Sequence, residues 1–257
     1  MLRLEQLINV HKPELTQTEL MLWNYICSNR VRAAQMTIHE LAEQCAMSTA
    51  TIVRFAKKLG LEGFADLKAL LKVEEVPCIV AKGDAFAEAR AFYLDAWDRV
   101  AQRDFSEANE LLYRAKRIFA YATGYVQHNV LNELKRMFFY GGVFICDIEG
   151  EMEYQTLMKS LTTEDLVIII SLSGETLAAV DFAQRLSVQG VPVISITLLS
   201  ENTLAGLSTV NLYILAKAFQ LTEGKEQLPF KSMMTYFLLT EIWYMKYERY
   251  LETLSRE

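Results

Sequence analysis

The sequence predicts an α-helical domain followed by an α/β domain with a five-stranded parallel sheet in a doubly wound, three-layer arrangement. Residues 1–72 place apolar residues at helical spacing, and residues 73–84, with Pro77 and Gly83, interrupt it. Beyond residue 85, five short apolar runs alternate with helical segments. Because continuous apolar runs indicate strands buried on both faces, they predict a parallel sheet covered by helices. We expect a first domain over 1–72, a linker over 73–84 and a second domain over 85–257.

Cysteine usage and hydropathy limit the compartment and the class of protein. The four cysteines, at positions 27, 45, 78 and 146, are far apart and form no CxxC pair or Cys–His cluster. This pattern is typical of a reduced cytosolic protein without structural zinc. We expect neither a metal site nor a cofactor. The amino terminus lacks a signal-peptide pattern, and the longest apolar run, 166–170, is too short to span a bilayer. We therefore expect a cytoplasmic protein with no membrane partner.

Charge is distributed unevenly between the two predicted domains. The whole chain has a formal net charge of −6, but residues 1–72 contain 9 lysines and arginines against 7 acidic residues. The remaining residues contain 17 lysines and arginines against 25 acidic residues. A mildly basic module on an acidic body fits a protein in which only the module approaches nucleic acid.

Local signals define the outer helices of the first domain. Apolar residues at positions 4, 7 and 8 predict a helix that ends near Pro13. Thr16 and Glu19 match a capping box at the start of a second helix, whose apolar positions are 20, 23 and 26. Residues 63–71 predict a helix that closes the domain.

Residues 37–60 predict two short helices joined by a tight turn. Thr37 can cap the first helix, whose apolar positions 38, 41, 42 and 45 share one face. Residues 45–47 are short enough to form the turn. Ser48 can cap the second helix, which buries positions 52, 55, 56 and 59 and ends at Gly60.

The outward face of the second helix combines small hydroxyl side chains with cations. With the apolar face inward, the exposed residues are Ser48, Thr49, Thr51, Arg54, Lys57 and Lys58. A helix-turn-helix DNA reader needs this arrangement, because the start of its second helix meets base edges while cations bind phosphate. We expect the hydroxyl residues to approach bases and the cations to bind phosphate. The alternative is a helical module with a solvated cationic face.

In the second domain, apolar runs and helical segments alternate in the order of a doubly wound sheet. The predicted strands are 118–122, 143–146, 166–171, 193–197 and 212–215, and the predicted helices are 85–112, 127–140, 151–160, 175–189 and 230–254. The last helix carries more aromatic residues than a solvated helix needs, namely Trp243, Tyr244, Tyr247 and Tyr250. Core packing and a subunit interface can share that apolar area.

A turn rich in serine follows the third predicted strand. Ser171, Ser173, Gly174 and Thr176 would lie at the carboxyl end of a parallel strand, ahead of a helix. Hydroxyls, free backbone N–H groups and the positive end of a helix dipole favour an anion there, most commonly phosphate. The structural alternative is that both serines only cap the helix and that Gly174 relieves backbone strain.

Two segments resemble known families. Residues 165–176, Asp-Leu-Val-Ile-Ile-Ile-Ser-Leu-Ser-Gly-Glu-Thr, are similar to the Ser-x-Ser-Gly-x-Thr signature of SIS (sugar isomerase) domains, in which this loop holds the phosphate of a phosphosugar. Residues 41–64 resemble the helix-turn-helix of RpiR-type regulators. The resemblance implies a non-enzymatic transcription regulator that binds operator DNA as a homodimer or homotetramer and responds to a sugar phosphate.

The chain departs from the family pattern at three places. The first SIS strand normally leads into a Gly-x-Gly-x-Ser loop, whereas residues 122–126 read Ala-Thr-Gly-Tyr-Val and keep only Gly124 as a matching ligand residue. Residues 215–219 lack the glutamate often found near the sugar, and Glu223 is the nearest acid. The late Ser-Arg segment is replaced by residues 229–232, where Lys231 is either a charge for the ligand or a solvated residue.

Other residues leave alternatives open. His128 can face the ligand or cap a helix, and His11 and His39 have no ligand or base partner nearby in sequence. The acidic residues between 147 and 153 suggest either paired catalytic carboxylates or a solvated helix start. A phosphosugar isomerase would need a positioned base, and the expected glutamate is absent. A third alternative is a DNA-binding regulator whose second domain only dimerises.

Overall fold

The computed structural model describes residues 4–73, 78–80, 84–220 and 230–255. The chain divides into two compact units, residues 1–75 and residues 76–257. No helix among these described residues has both the length and the apolar character that crossing a bilayer requires.

The first unit is helical throughout its described part. Its helices are α1 (Leu4–His11), α2 (Gln17–Ser28), α3 (Arg30–Gln35), α4 (Ile38–Gln44), α5 (Thr49–Lys58) and α6 (Phe64–Val73), with a 3-10 turn at Lys12–Glu14. Thr16 and Thr37 each begin a helix with a complete capping box. The predicted apolar face of α5 is buried, with Ile52 and Phe55 inaccessible to solvent. On α4, Leu41 and Ala42 are buried, while Ile38 and Cys45 at the ends of the predicted face are half-buried.

The second unit alternates strands and helices. In chain order it contains β1 (Cys78–Val80), α7 (Ala85–Ala101), α8 (Ser106–Arg114), β2 (Arg117–Ala122), α9 (Tyr125–Tyr140), β3 (Ile145–Asp147), α10 (Glu151–Ser160), β4 (Asp165–Ile170), α11 (Leu177–Gln189), β5 (Val193–Leu198), α12 (Thr203–Leu207), β6 (Val210–Ile214), β7 (Lys217–Gln220), β8 (Phe230–Ser232) and α13 (Met234–Leu254). The main sheet has the order β3-β2-β4-β5-β6, and all its pairs are parallel. The predicted five-stranded parallel sheet is confirmed.

Alternate residues of β4 show the three layers. Leu166, Ile168 and Ile170 pack in a cluster that includes residues of α8, α9 and α13. Val167 and Ile169 pack in a second cluster, with residues of α10, α11 and α12. All six residues of β4 are buried. Helices therefore cover both faces of the sheet, as the continuous apolar runs predict.

Several predicted boundaries are wrong. Most of the linker predicted over 73–84 lies outside the described residues; of the rest, Val73 belongs to α6, and β1 pairs in parallel with β7. β8 pairs with β7 to complete a second, three-stranded sheet, so the last helix begins at Met234 rather than at 230. The helix expected over 85–112 is divided into α7 and α8. The short strands β1, β7 and β8 show no recognisable periodicity, and their pairing joins segments far apart in sequence.

Core packing accounts for much of the aromatic area of α13. Trp243 and Tyr247 are buried, and the Trp243 indole Nε1 donates a hydrogen bond to Asn109 Oδ1 at 3.1 Å. Phe138 of α9 meets Trp243, Tyr244 and Tyr247 with ring centroids 5.2–5.5 Å apart. The subunit interface expected on this helix remains a prediction.

Candidate functional site

Helices α4 and α5 form the predicted helix-turn-helix. The turn between them contains Ala46 in the left-handed region, at a φ of 51°. Three backbone hydrogen bonds close the turn, from Cys45 N to Leu41 O at 3.1 Å, from Ala46 N to Glu43 O at 3.1 Å and from Met47 N to Ala42 O at 2.9 Å. The chain therefore reverses within three residues and presents the start of α5 to solvent.

The outward face of α5 contains most of the residues expected to meet DNA. Ser48 caps the helix by accepting a hydrogen bond from Thr51 N, and its Oγ lies 2.9 Å from Thr51 Oγ1. Arg54 Nη2 lies 3.5 Å from the same Thr51 hydroxyl. Arg54 and Lys57 are exposed, and Thr49 is half-buried. These five residues share one accessible surface of the helix, with hydroxyls at its start and cations further along.

Lys58 occupies a different environment. Its Nζ donates hydrogen bonds to Glu19 Oε2 and to the backbone carbonyl of Glu14, both at 2.8 Å. Glu19 is buried, which raises its pKa, but the hydrogen bonds from Lys58 and Thr16 outweigh that effect and hold the pKa below its ordinary value. The structure thus gives the Lys58 cation an internal carboxylate partner that the spacing of residues along α5 does not reveal.

The ligand residues expected in the second unit lie where the order of the strands reverses. The chain passes from β2 outward to β3, then back across to β4. Neighbouring strands β2 and β4 pair in register from Arg117↔Asp165 to Ala122↔Ile170, so their carboxyl ends lie side by side. Open α/β sheets bind ligands in the crevice at such a switch point. The predicted loop 171–176 and Gly124 both border this crevice.

Two helices start at this crevice without a side-chain cap. The N-cap residues are Gly124 for α9 and Thr176 for α11, and neither makes a side-chain hydrogen bond to its helix. The partial positive charge of a helix N-terminus and its first N–H groups attract an anion. The two helix starts therefore provide a polar, electropositive border on adjacent strands.

Hydrogen bonds within the loop 171–176 fix its shape. Buried Ser171 accepts a hydrogen bond from Gly174 N at 3.3 Å, and Ser173 accepts one from Glu175 N at 3.2 Å. Gly174 has a φ of +70°, and a Cβ there would lie 2.0 Å from Asn202 Oδ1. Both serines therefore bond within the loop and do not cap α11, whose N-cap residue is Thr176. Ser173 and Thr176 are only half-buried.

The short helix α12 anchors the loop 171–176. Neither this helix nor its contact with the loop was predicted from the sequence. The buried Glu175 carboxylate accepts hydrogen bonds from Thr203 N at 2.7 Å and Thr203 Oγ1 at 2.8 Å. Leu204 N donates to Gly174 O at 3.0 Å. Asn202 caps α12 by accepting a hydrogen bond from Ala205 N. An Asn-Thr pair is a helix-start signal, so the helix was detectable, although its contact with the loop was not.

The loop at the end of β2 is held differently. Thr123 N donates to Ile170 O at 3.1 Å, which ties the loop to β4. A Cβ on Gly124 would lie 2.7 Å from Gln127 Oε1. His128 Nδ1 lies 2.8 Å from Gly124 O, so the ring bonds to the carbonyl of the N-cap residue and caps none of the free N–H groups of α9. Val126 provides no hydroxyl.

The remaining candidates have structural partners or fall outside the described residues. Asp147 forms an ion pair with Lys135 at 2.7 Å, and Glu153 accepts hydrogen bonds from the backbone of residues 149 and 150. Lys231 lies in β8 rather than at a helix start. Glu223 lies outside the described residues. Within the described residues, no group of three or more metal-ligating side chains is present.

Two family models match the chain. The model for the SIS domain matches residues 111–245, and the model for the helix-turn-helix domain of the rpiR family matches residues 2–76. The first covers the main sheet from α8 into α13, and the second covers α1 to α6.

Two similar proteins are named as HTH-type transcriptional regulators. The HTH-type transcriptional regulator GlvR of Bacillus subtilis is 32% identical over 259 residues, covering 98% of this chain and 97% of GlvR. The regulator HexR of Pseudomonas aeruginosa is 26% identical over 216 residues, covering 78% of this chain and 75% of HexR.

Solved structures show a similar fold. The Vibrio vulnificus NanR protein complexed with ManNAc-6P matches with a TM-score of 0.54 at 19% identity, covering 98% of this chain and 96% of NanR. The sugar isomerase domain of an RpiR transcription factor from Sphaerobacter thermophilus matches with a TM-score of 0.51 at 16% identity. The match covers 66% of this chain and 98% of that domain's chain. These two matches show the fold. The family models and the GlvR match show that the chain belongs to the RpiR family of transcription regulators, with a helix-turn-helix domain followed by a SIS domain.

Proposed function

We propose that this regulator binds operator DNA through α5 and that a phosphorylated sugar, bound in the crevice between the ends of β2 and β4, changes its operator affinity. The observation that carries the sensor part is the pair of uncapped helix starts, α9 and α11, beside one serine-rich loop. Operator DNA and sugar phosphates both occur in the cytoplasm, where we place the protein.

On DNA, the residues at the start of α5 approach base edges. In helix-turn-helix proteins the first residues of the second helix enter the major groove. We assign this role to Ser48, Thr49 and Thr51, and we assign phosphate binding to the exposed cations Arg54 and Lys57. A single module of this size contacts few base pairs, so we propose that a homodimer or homotetramer reads paired half-sites.

In the crevice, the phosphate would meet hydroxyls and backbone N–H groups. We assign this role to Ser171, Ser173, Gly174 and Thr176, with Gly124 lining the opposite side. The binding of ManNAc-6P by the similar NanR protein supports a phosphosugar as the class of ligand. Because Ser171 is buried and already bonded to Gly174, the half-buried Ser173 and Thr176 are the more accessible hydroxyls.

Thermal denaturation with a panel of sugar phosphates tests the ligand site. A ligand that binds the folded state stabilises it by about 2.7 kcal/mol at a concentration of 100 times its Kd. We expect a sugar phosphate to raise the melting temperature, whereas the same sugar without phosphate has far less effect. Thr176→Val removes a hydroxyl that caps no helix and should abolish the shift while the ligand-free melting temperature stays the same.

A second function is favoured by one observation. Val126 supplies no hydroxyl in the first loop, and the Gln127 side chain lies against Gly124, which is compatible with a SIS domain that only dimerises. In that case, no member of a broad panel of sugar phosphates changes the melting temperature, and Ser173→Ala regulates like the parent.

A further inference from the structure

The ion pair between Lys58 and Glu19 joins the carboxyl end of α5 to the amino end of α2. The two residues are 39 positions apart in sequence, and their Nζ and Oε2 atoms are 2.8 Å apart. Lys58 also donates to the Glu14 carbonyl, just before α2 begins. The Lys58 side chain of α5 is therefore fixed at two points, one just before α2 and one in its first turn.

The carboxylate that receives Lys58 is held in place by its own helix. Glu19 Oε2 accepts hydrogen bonds from Thr16 N at 2.8 Å and from Thr16 Oγ1 at 2.9 Å, as part of the capping box of α2. The Glu19 side chain is only 4% exposed, while that of Lys58 is 33% exposed. A buried carboxylate needs a partner for its charge, so the position of Glu19 determines where the Lys58 ammonium lies.

We infer that Lys58 is a positioning residue, which fixes the orientation of α5 through Glu19 so that Ser48, Thr51 and Arg54 meet DNA in register. This inference rests on the proposed DNA-binding function of α5. It replaces the expectation that Lys58 binds phosphate as Arg54 and Lys57 do. The two roles predict opposite effects for the loss of the Glu19 charge. Freeing a phosphate-binding lysine from its carboxylate would favour DNA binding, whereas loosening α5 weakens sequence-specific binding.

A matched pair of variants isolates this effect. Glu19→Gln keeps an acceptor for the capping box, because glutamine also serves at that position, but removes the charge that holds Lys58. Glu40→Gln makes the same change in the equivalent capping box of α4, where Glu40 bonds to Thr37 N at 2.6 Å and no cation lies within ion-pair distance among the described residues. Both variants remove one negative charge from the same unit, so their difference reports the ion pair.

The test measures the affinity of the full chain for two DNA probes. One is a duplex selected from a random library by the parent protein, and the other is a random-sequence duplex of the same length. We expect Glu19→Gln and Lys58→Met to bind the selected duplex about tenfold more weakly than Glu40→Gln, the size of effect of one misplaced base contact. Binding to the random duplex should change much less, so the ratio of the two affinities falls. Lys58→Arg, which retains a cation for Glu19, should restore most of that ratio.

Two measurements distinguish the positioning role of Lys58 from phosphate binding and from partial unfolding: the salt dependence of the affinity, and the ratio of the affinities for the two duplexes. If Lys58 binds phosphate, Lys58→Met reduces the magnitude of the negative slope of log K against log salt by about 0.9 and weakens binding to both duplexes equally. In that case Glu19→Gln binds at least as tightly as Glu40→Gln. A partly unfolded variant also loses affinity for both duplexes alike. Either result overturns the inference. If an Arg54→Ala, Lys57→Ala double variant binds both duplexes like the parent, the proposed DNA-binding face itself is wrong, and the inference fails with it.

Discussion

Gly174 is the residue on which the shape of the loop 171–176 depends most directly. Its φ of +70° lies in the region that favours glycine, and its backbone both donates to Ser171 and accepts from Leu204. The Asn202 side chain occupies the space where a Cβ would be. A single position thus combines an unusual backbone conformation with a close approach of α12.

Gly174→Ala should strongly destabilise the SIS domain. The backbone conformation costs about 1–3 kcal/mol for a residue with a side chain, and displacing Asn202 adds about 1–3 kcal/mol of overpacking. Gly142→Ala is the matched control, because Gly142 has a φ of +75° but a Cβ there would meet no atom of the described residues within 4 Å. Urea denaturation measures both variants. If both variants lose the same free energy of unfolding, Asn202 imposes no steric limit on the loop.

Residues whose partners are close in sequence were predictable, and those with distant partners were not. The caps at Thr16, Thr37 and Ser48 follow from side chains within three residues, and the structure confirms them. The partners Glu19 for Lys58 and Thr203 for Glu175 are 39 and 28 residues away, respectively. Their contacts depend on how helices and loops pack, which periodicity does not report.

At the level of elements, the pairing of β2 with β4 brings the two crevice loops together. The first residues of the two strands, Arg117 and Asp165, are register partners and form two hydrogen bonds at 2.7 and 2.8 Å. The hydrogen bond from Arg117 lowers the pKa of Asp165 more than burial raises it, and Thr162 lowers it further. Long apolar strands such as β4 were evident from the sequence, whereas β1, β7 and β8 were too short to recognise.

Asp165→Asn should therefore reduce stability in a pH-dependent way. A carboxyl whose pKa is lowered by folding contributes stability above its unfolded pKa and loses it as pH falls through its folded pKa. Because Arg117 is partly exposed, we expect a loss of about 1–3 kcal/mol at pH 7. The difference from the parent should shrink below the ordinary Asp pKa of 3.8. Denaturation between about pH 2 and pH 7 measures it.

Glu164→Gln is the control for this prediction. Glu164 and Lys116, the residues just before β4 and β2, form an ion pair, but both side chains are more than half exposed. Loss of the Glu164 charge should therefore leave the melting temperature nearly unchanged. A pH-independent difference for Asp165→Asn, or an equal effect of Glu164→Gln, would contradict the assigned role of the buried pair.

At the scale of the whole molecule, the proposed function requires at least two copies of the chain. The SIS domain and α13 are the expected site of assembly, and two helix-turn-helix units would read half-sites about one or more helical turns apart. Sedimentation at micromolar concentration should show at least a dimer. A monomer that retains full affinity for the selected duplex would contradict this prediction.

The most direct test of the account is the affinity for the selected duplex with and without a saturating sugar phosphate. A ligand changes DNA affinity only by its different affinities for the two states of the protein, typically by about 5- to 150-fold. We predict a change of this size for the sugar phosphate that most raises the melting temperature, and none for Thr176→Val. If that sugar phosphate binds at saturation and the DNA affinity of the parent does not change, the SIS domain is not the sensor.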